Sequence, residues 1–327
     1  MLFKKLFRTM GLYRAQFISM IIMIALGVGI FVGFNMEWVS IKENTSKFFS
    51  DTGFADYRIT SEKGFSSEEA EKIKDISDVK NASRYVAVNV DIKERSGDAL
   101  SLTVTEDPKV SGVMLISGEK YDPNDANGVW LSDKYAKANN FKCGDNITFK
   151  YKNIEISGKI KGLIKSSEYL ICVRDSSQLM PDYTTFGFAY ISPVFYKNAT
   201  GYDFYPQINA ISDMGKKDFC DKVDNALGKT TLVLTKEEVG SYSLANGEAD
   251  EGKTMGSVLP VLFLLIAVLT MVTTMHRLTA KEKTQIGTLK ALGFKDCRIL
   301  LHYTSYAFMI GIIGSVIGIA LGYAVAY

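Results

Sequence analysis

The chain has 327 residues, with 38 Lys or Arg against 36 Asp or Glu and only two His. So near-neutral a balance gives no reason to expect a nucleic-acid partner. The charges are unevenly spread: Gln16–Met36, Thr254–Met275 and Tyr303–Tyr327 contain no Asp, Glu, Lys, Arg or His. Each run is roughly 20 residues or longer, enough to cross a hydrocarbon core of about 30 Å as a helix, which argues against an ordinary soluble globular protein.

Residues 1–15 hold Lys4, Lys5, Arg8 and Arg14 and no acid. Over residues 2–14 the apolar Leu2, Phe3, Leu6, Phe7 and Met10 share one helical face, the pattern of an amphipathic helix lying in a membrane interface. The first span is predicted over 16–36. Phe34-Asn-Met-Glu-Trp38 lacks a small-x-small cleavage pattern, so the span is read as retained rather than as a signal peptide. Gly29 and Gly33 give it a small-xxx-small spacing that lets another helix approach closely.

Residues 37–253 carry 28 of the bases and 34 of the acids. The short segments 1–15 and 276–302 are net basic, so the bias places them in the cytoplasm and 37–253 outside. The middle segment alternates strand and helix patterns. Strands are predicted at Ala55–Thr60, Tyr85–Lys93 and Leu100–Thr105, and Ser66-Ser-Glu-Glu69 opens a helix as a capping box. A second block has strands at Val129–Leu131, Ile147–Tyr151, Ile154–Ile164 and Tyr169–Val173, a helix over Ser132–Asn139 and a turn at Lys142–Asp145. Residues 180–206, rich in Tyr, Phe and Pro, read as a loop. Strands at Ile208–Ile211 and Thr231–Leu234 then flank a helix at Lys216–Leu227. Such alternation implies α+β or mixed α/β layers. Cys143, Cys172 and Cys220 are too widely spaced for a disulfide framework, and Cys297 falls in the basic segment.

Gly247-Glu-Ala-Asp-Glu-Gly-Lys-Thr254 fits the phosphate-loop pattern letter for letter. No strong strand precedes it, Glu248, Asp250 and Glu251 would repel a polyanion, and a membrane span follows. It is read as a flexible acidic linker. The second span is predicted over 254–275.

Residues 276–302 form a basic connector between two spans, with six Lys or Arg against Glu282 and Asp296. Ile286, Leu289 and Leu292 recur every three residues, Lys290 lies beside them, and Gly293 stands where a helix usually stops. His276 and His302 flank the connector and suit membrane ends better than metal ligation. The third span, 303–327, carries Gly311, Gly314, Gly318 and Gly322, and the last three make a packing face.

Gln285-Ile-Gly-Thr-Leu-Lys-Ala-Leu-Gly293 resembles the loop between the second and third spans of the FtsX/MacB-like permeases, the membrane subunits of one class of ABC transporters. Gln285 stands where those permeases usually have an acid. The strand, Ser-x-x-x-Ala helix, x-Gly-Asp turn and strand of residues 129–151 are similar to the outer part of MacB-like ectodomains.

The resemblance implies membrane α-helical spans plus an external α+β, two-lobed ectodomain of MacB-like periplasmic core type, its second lobe inserted at about 110–200. It implies a multi-pass permease subunit of a bacterial plasma membrane, acting in export or mechanotransmission as a dimer of permease units in contact with membrane lipid. ATP hydrolysis would fall to a cytosolic ABC ATPase docked on Ile286, Gly287, Leu289, Lys290, Leu292 and Gly293. Since such permeases have at least four spans, it also implies at least one further helix after Tyr327. No cofactor, metal site or catalytic residue is expected, for no nucleophile–base pair or carboxylate dyad stands out. The main competing reading is a membrane-anchored extracytoplasmic sensor that binds a ligand without transport.

Overall fold

A computed structural model describes residues 8–175, 178 and 180–326. Most of the expected interfacial helix, with Leu2, Phe3, Lys4, Lys5, Leu6 and Phe7, lies outside them; residues 8–12 are helical. The described chain forms two compact units. One combines the residues up to Glu43 with those from Gly247 onward, and the other is Asn44–Asn246.

The first unit is helical. Its elements are α1 (Arg14–Asp51), α6 (Gly240–Lys281), α7 (Lys283–Ala291) and α8 (Asp296–Ala326), of which α1 and α6 also run into the other unit's sequence. Helices α1, α6 and α8 are long and apolar enough to cross a membrane. They outrun the uncharged stretches because nothing stops them there. Residues 37–51 contain neither Gly nor Pro, and the first left-handed residue is Gly53, φ 61°. Gly247–Thr254 lies inside α6, so the expected flexible linker is a helix. Its amides are committed to helical carbonyls, and a phosphate-cradling loop has no backbone left to form from.

Glycine sets the packing of this unit. A Cβ on Gly318 would sit 2.7 Å from the Ala25 carbonyl oxygen and 2.8 Å from the Val28 Cβ. One on Gly322 would sit 2.7 Å from the Gly29 oxygen, and one on Gly314 2.8 Å from the Ile24 Cβ. Gly29 in turn faces Gly318, and Gly33 faces Gly322. Backbone therefore meets backbone between α1 and α8, which is how helices associate where water supplies no hydrophobic drive. On α6, Pro260 has no N–H for the Gly256 carbonyl, and in that same turn Gly256 admits Phe34 of α1. Phe17, Met20, Ile24, Ala267, Leu278, Ile299, Tyr303, Tyr306 and Ile310 form the core. Outward-facing Leu265, Leu269, Val272, Phe308, Ile312 and Val316 remain exposed, as lipid-facing residues should.

The second unit is α+β. In chain order it comprises β1 (Tyr57–Thr60), α2 (Ser67–Lys74), β2 (Val79–Ile92), β3 (Arg95–Thr105), β4 (Val113–Gly118), β5 (Gly128–Ser132), α3 (Asp133–Asn139), β6 (Asn146–Tyr151), β7 (Ile154–Ser166), β8 (Phe186–Ile191), α4 (Pro193–Thr200), β9 (Gln207–Ser212), α5 (Lys216–Leu227) and β10 (Leu232–Thr235). All ten strands belong to one sheet, ordered β10-β1-β9-β2-β3-β8-β5-β7-β4, with β6 pairing both β2 and β7. Neighbours run antiparallel except β3 with β8 and β5 with β7. Because β6 bridges β7 back to β2, the strands β2, β3, β8, β5, β7 and β6 close into a ring. All six feed one apolar cluster, including Val90, Leu100, Leu131, Phe149, Ile160 and Ile191. Alternate residues Trp130, Phe186, Phe188 and Tyr190 build a separate cluster. A third apolar centre packs α2 and α5 on β1, β9 and β10 through Ile59, Ile73, Ile208, Phe219 and Val233.

Several expected elements hold: the capping box of α2 is formed by Ser66 and Glu69, and α5 spans Lys216–Leu227. Others differ. Instead of a strand at 169–173 there is a 3-10 turn, Ser167–Tyr169, because the Ser166 side chain caps the Glu168 amide and turns the chain. The presumed loop 180–206 contains β8 and α4, the latter opened by the Ser192 cap and Pro193. Strand β4 is an additional edge strand with a register shift between Leu115 and Ser117.

Candidate partner-docking loop

Helix α7 is a nine-residue helix set between the ends of α6 and α8. Its sequence makes both ends. At the start, Glu282 interrupts the helical run; its side chain is 7% exposed and accepts a 2.6 Å hydrogen bond from the Tyr303 hydroxyl of α8. At the finish, Gly293 takes φ 87°. The Gly293 amide donates to the Lys290 carbonyl at 3.0 Å and the Phe294 amide to the Leu289 carbonyl at 3.1 Å. This is a Schellman closure, with the accompanying apolar contact supplied by Leu289 and Phe294 in one cluster. A residue with a Cβ would be strained at Gly293, which is why the sequence places Gly there.

The structure distributes the predicted docking residues over two faces. Ile286 and Leu289 are half-buried and pack against the helical core around Tyr303 and Ile299. Leu292 is 71% exposed, and Gly287, Lys290 and Gly293 are exposed too. The geometry explains the division: a three-residue step turns a helix by about 300°, so each step drifts about 60°. Two such steps carry position 292 well off the face of 286. Lys290 reaches Asp296 at 2.6 Å across the turn; both side chains are largely exposed, so the pair adds little stability.

Beyond the closure the chain forms an open hollow of about 700 Å³, lined by Leu292, Gly293, Phe294, Lys295, Cys297, Arg298 and Leu301. Leu292 and Leu301 are exposed apolar walls, and Lys295 and Arg298 bring positive charge. Sequence reading missed Glu282, Phe294, Lys295, Arg298 and Leu301. The Gly293 signal was present, but it fixes only where the helix stops, not what the following turn exposes.

Residues 257–327 match the model of the FtsX-like permease C-terminal family. That stretch takes in the apolar part of α6 and all of α7 and α8, and so contains the loop. No curated protein matches the chain. Among solved structures, the extracellular domain of the noncanonic ABC-type transporter YknZ from Gram-positive bacteria is similar with a TM-score of 0.40 and 10% identity, over 55% of this chain and 98% of that one. The periplasmic region of MacB from Actinobacillus actinomycetemcomitans is similar with a TM-score of 0.38 and 13% identity, over 64% and 97% respectively.

Proposed function

We propose that the chain is a permease subunit of the FtsX/MacB-like kind, coupling a separate cytosolic ABC ATPase to an external α+β domain in a bacterial plasma membrane. The observation that carries this reading is α7: a short, sharply closed helix, within the stretch matching FtsX-like permeases, with an exposed leucine and a cationic hollow at its end. The basic character of residues 276–302, against the acidic 37–253, supports a cytoplasmic position for the loop.

In this reading the predicted docking residues divide the work. Ile286 and Leu289 seat α7 on the spans. Gly287, Lys290, Leu292 and Gly293 meet the ATPase, joined by Lys295, Arg298 and Leu301. Leu292 would be the apolar anchor in a partner groove and the cations would face an acidic rim. The subunit performs no covalent chemistry; it passes motion between the nucleotide cycle of its partner and the external domain, as one half of a dimer.

The test compares two charges on the same helix. Leu292→Glu should leave expression, membrane insertion and thermal stability unchanged, yet abolish co-purification with the partner ABC ATPase and stimulation of its ATP hydrolysis. Leu289→Glu should instead destabilise the subunit itself, because it places a carboxylate against the apolar core. A Leu292→Glu protein that binds and stimulates the ATPase like wild type would reduce α7 to a connector.

A further inference from the structure

In the same helical unit, α1 and α6 enclose a notch lined by none of the residues proposed to meet the ATPase. It is lined by Tyr13, Gln16 and Phe17 of the α1 region and by Thr274, Arg277, Leu278 and Lys281 of α6, and its volume is about 70 Å³. Phe17 and Leu278 make a dry floor, at 2% and 4% exposure. Arg277 and Lys281 are exposed and one helical turn apart, so they stand on one side of α6. Lys281 lies over the Tyr13 ring, 5.2 Å from its centroid, which holds the ammonium at the mouth. Among the described residues, no carboxylate lies within ion-pair distance of Arg277 or Lys281, whereas Lys290 in the same loop has Asp296.

Two cations without a protein counter-charge, an amide and a phenol thus converge on a small cavity with an apolar floor. They stand just beyond Met275, where the uncharged run ends. The chemistry this arrangement suits is a phosphodiester monoanion carried on an apolar stem. The guanidinium and ammonium neutralise the phosphate, Gln16 and Tyr13 can donate to its oxygens, and Phe17 and Leu278 meet the first methylenes. We infer that the notch between Tyr13 and Lys281 is a binding site for the headgroup of an anionic phospholipid of the cytoplasmic leaflet. The leaflet assignment rests on the proposed orientation; the site itself rests on the residues. Basic pockets between spans on the cytoplasmic side are where such headgroups bind.

The test uses the full chain purified in dodecyl maltoside micelles doped with phosphatidylglycerol or with phosphatidylcholine, with retained lipid counted by native mass spectrometry. Wild type should hold phosphatidylglycerol in preference to phosphatidylcholine. The R277Q/K281Q variant should bind phosphatidylglycerol roughly thirtyfold more weakly, two cations each contributing about a factor of five to six. A K283Q/K295Q variant with the same loss of charge, away from the notch, should bind like wild type. Inorganic phosphate at millimolar concentration should not displace the lipid. Equal retention of the two lipids by wild type, or equal losses in the two double variants, would overturn the proposal. So would complete displacement by inorganic phosphate, which would make the notch a site for free anions. If thiol labelling placed Cys297 outside while R277Q/K281Q still lost its lipid, the orientation would fall and the site would stand.

Discussion

Arg58 and Glu168 are joined by two hydrogen bonds of 2.8 and 3.0 Å, and their side chains are 6% and 7% exposed. Ser111 also donates to Glu168, at 2.8 Å, and Arg58 lies 4.5 Å from the centre of the Phe54 ring. With every charge matched, the pair holds the 3-10 turn Ser167–Tyr169 to β1. Removing one partner strands the other in an apolar setting, so Glu168→Gln is expected to destabilise this unit by about 3 kcal/mol. Urea titration of the purified protein, followed by the fluorescence of fully buried Trp130 in a Trp38→Phe background, measures it. Asp125 offers the pH-dependent counterpart. Burial alone would raise its carboxyl, but Lys161 and the Asn127 and Gly128 amides outweigh burial and hold it below its ordinary value. A depressed folded value means stability that is complete above the ordinary carboxylate range, near pH 3.9, and lost as pH falls through the folded value. Asp125→Asn should therefore cost about 2 kcal/mol at pH 7. The gap between the two urea midpoints should close as the pH is lowered below about 4.

Among the elements, α8 allows the cleanest comparison, because it carries glycines of both kinds. A Cβ on Gly318 collides with the Ala25 carbonyl, whereas one on Gly311 meets nothing within 4 Å. Gly318→Val should lower the thermal stability of the detergent-solubilised protein by about 2 kcal/mol or more, and Gly311→Val should leave it within about 0.5 kcal/mol. The glycine spacing was legible in the sequence because a small-residue repeat has one geometric meaning in a membrane helix. Elements buried on both sides were not. In β8, Phe186, Phe188 and Tyr190 point to one cluster, while Gly187 and Ala189 point to the other side. Gly187 is there because Tyr135 leaves no room for a side chain: a Cβ would come within 2.6 Å of it. Such a strand shows no polar–apolar alternation, so it passed for an aromatic loop. For the loop around α7, the stop and the charge were legible; the start was not, because it depends on Glu282 being held by Tyr303 of α8. Which of the loop's leucines faces outward was not legible either, since that depends on the neighbouring helices.

For the whole molecule, the native cysteines already mark both sides of the proposed topology. Cys143 is exposed in the strand-rich unit and Cys297 in the first turn of α8. In intact cells with any outer barrier opened, a membrane-impermeant maleimide should label the protein, and Cys143→Ser should remove most of that labelling, leaving what half-buried Cys220 takes up. Cys297→Ser should change nothing until the membrane is permeabilised; the opposite pattern would invert the orientation. The ring of strands has its own consequence. Its circumference is sewn shut between β2 and β6 by two ladder pairs, Asp91 with Lys150 and Ile92 with Phe149, extended by one hydrogen bond from the Lys93 amide to the Thr148 carbonyl. A zipper that short is where the cylinder should breathe. In hydrogen–deuterium exchange, the amides of residues 148–150 and 91–93 should take up deuterium well before those of Leu100–Val104, which β2 and β8 hold from both sides. The hydrophobic interior would thus open along a single line, and that line rather than the ring as a whole would set how easily the unit is cleaved by proteases.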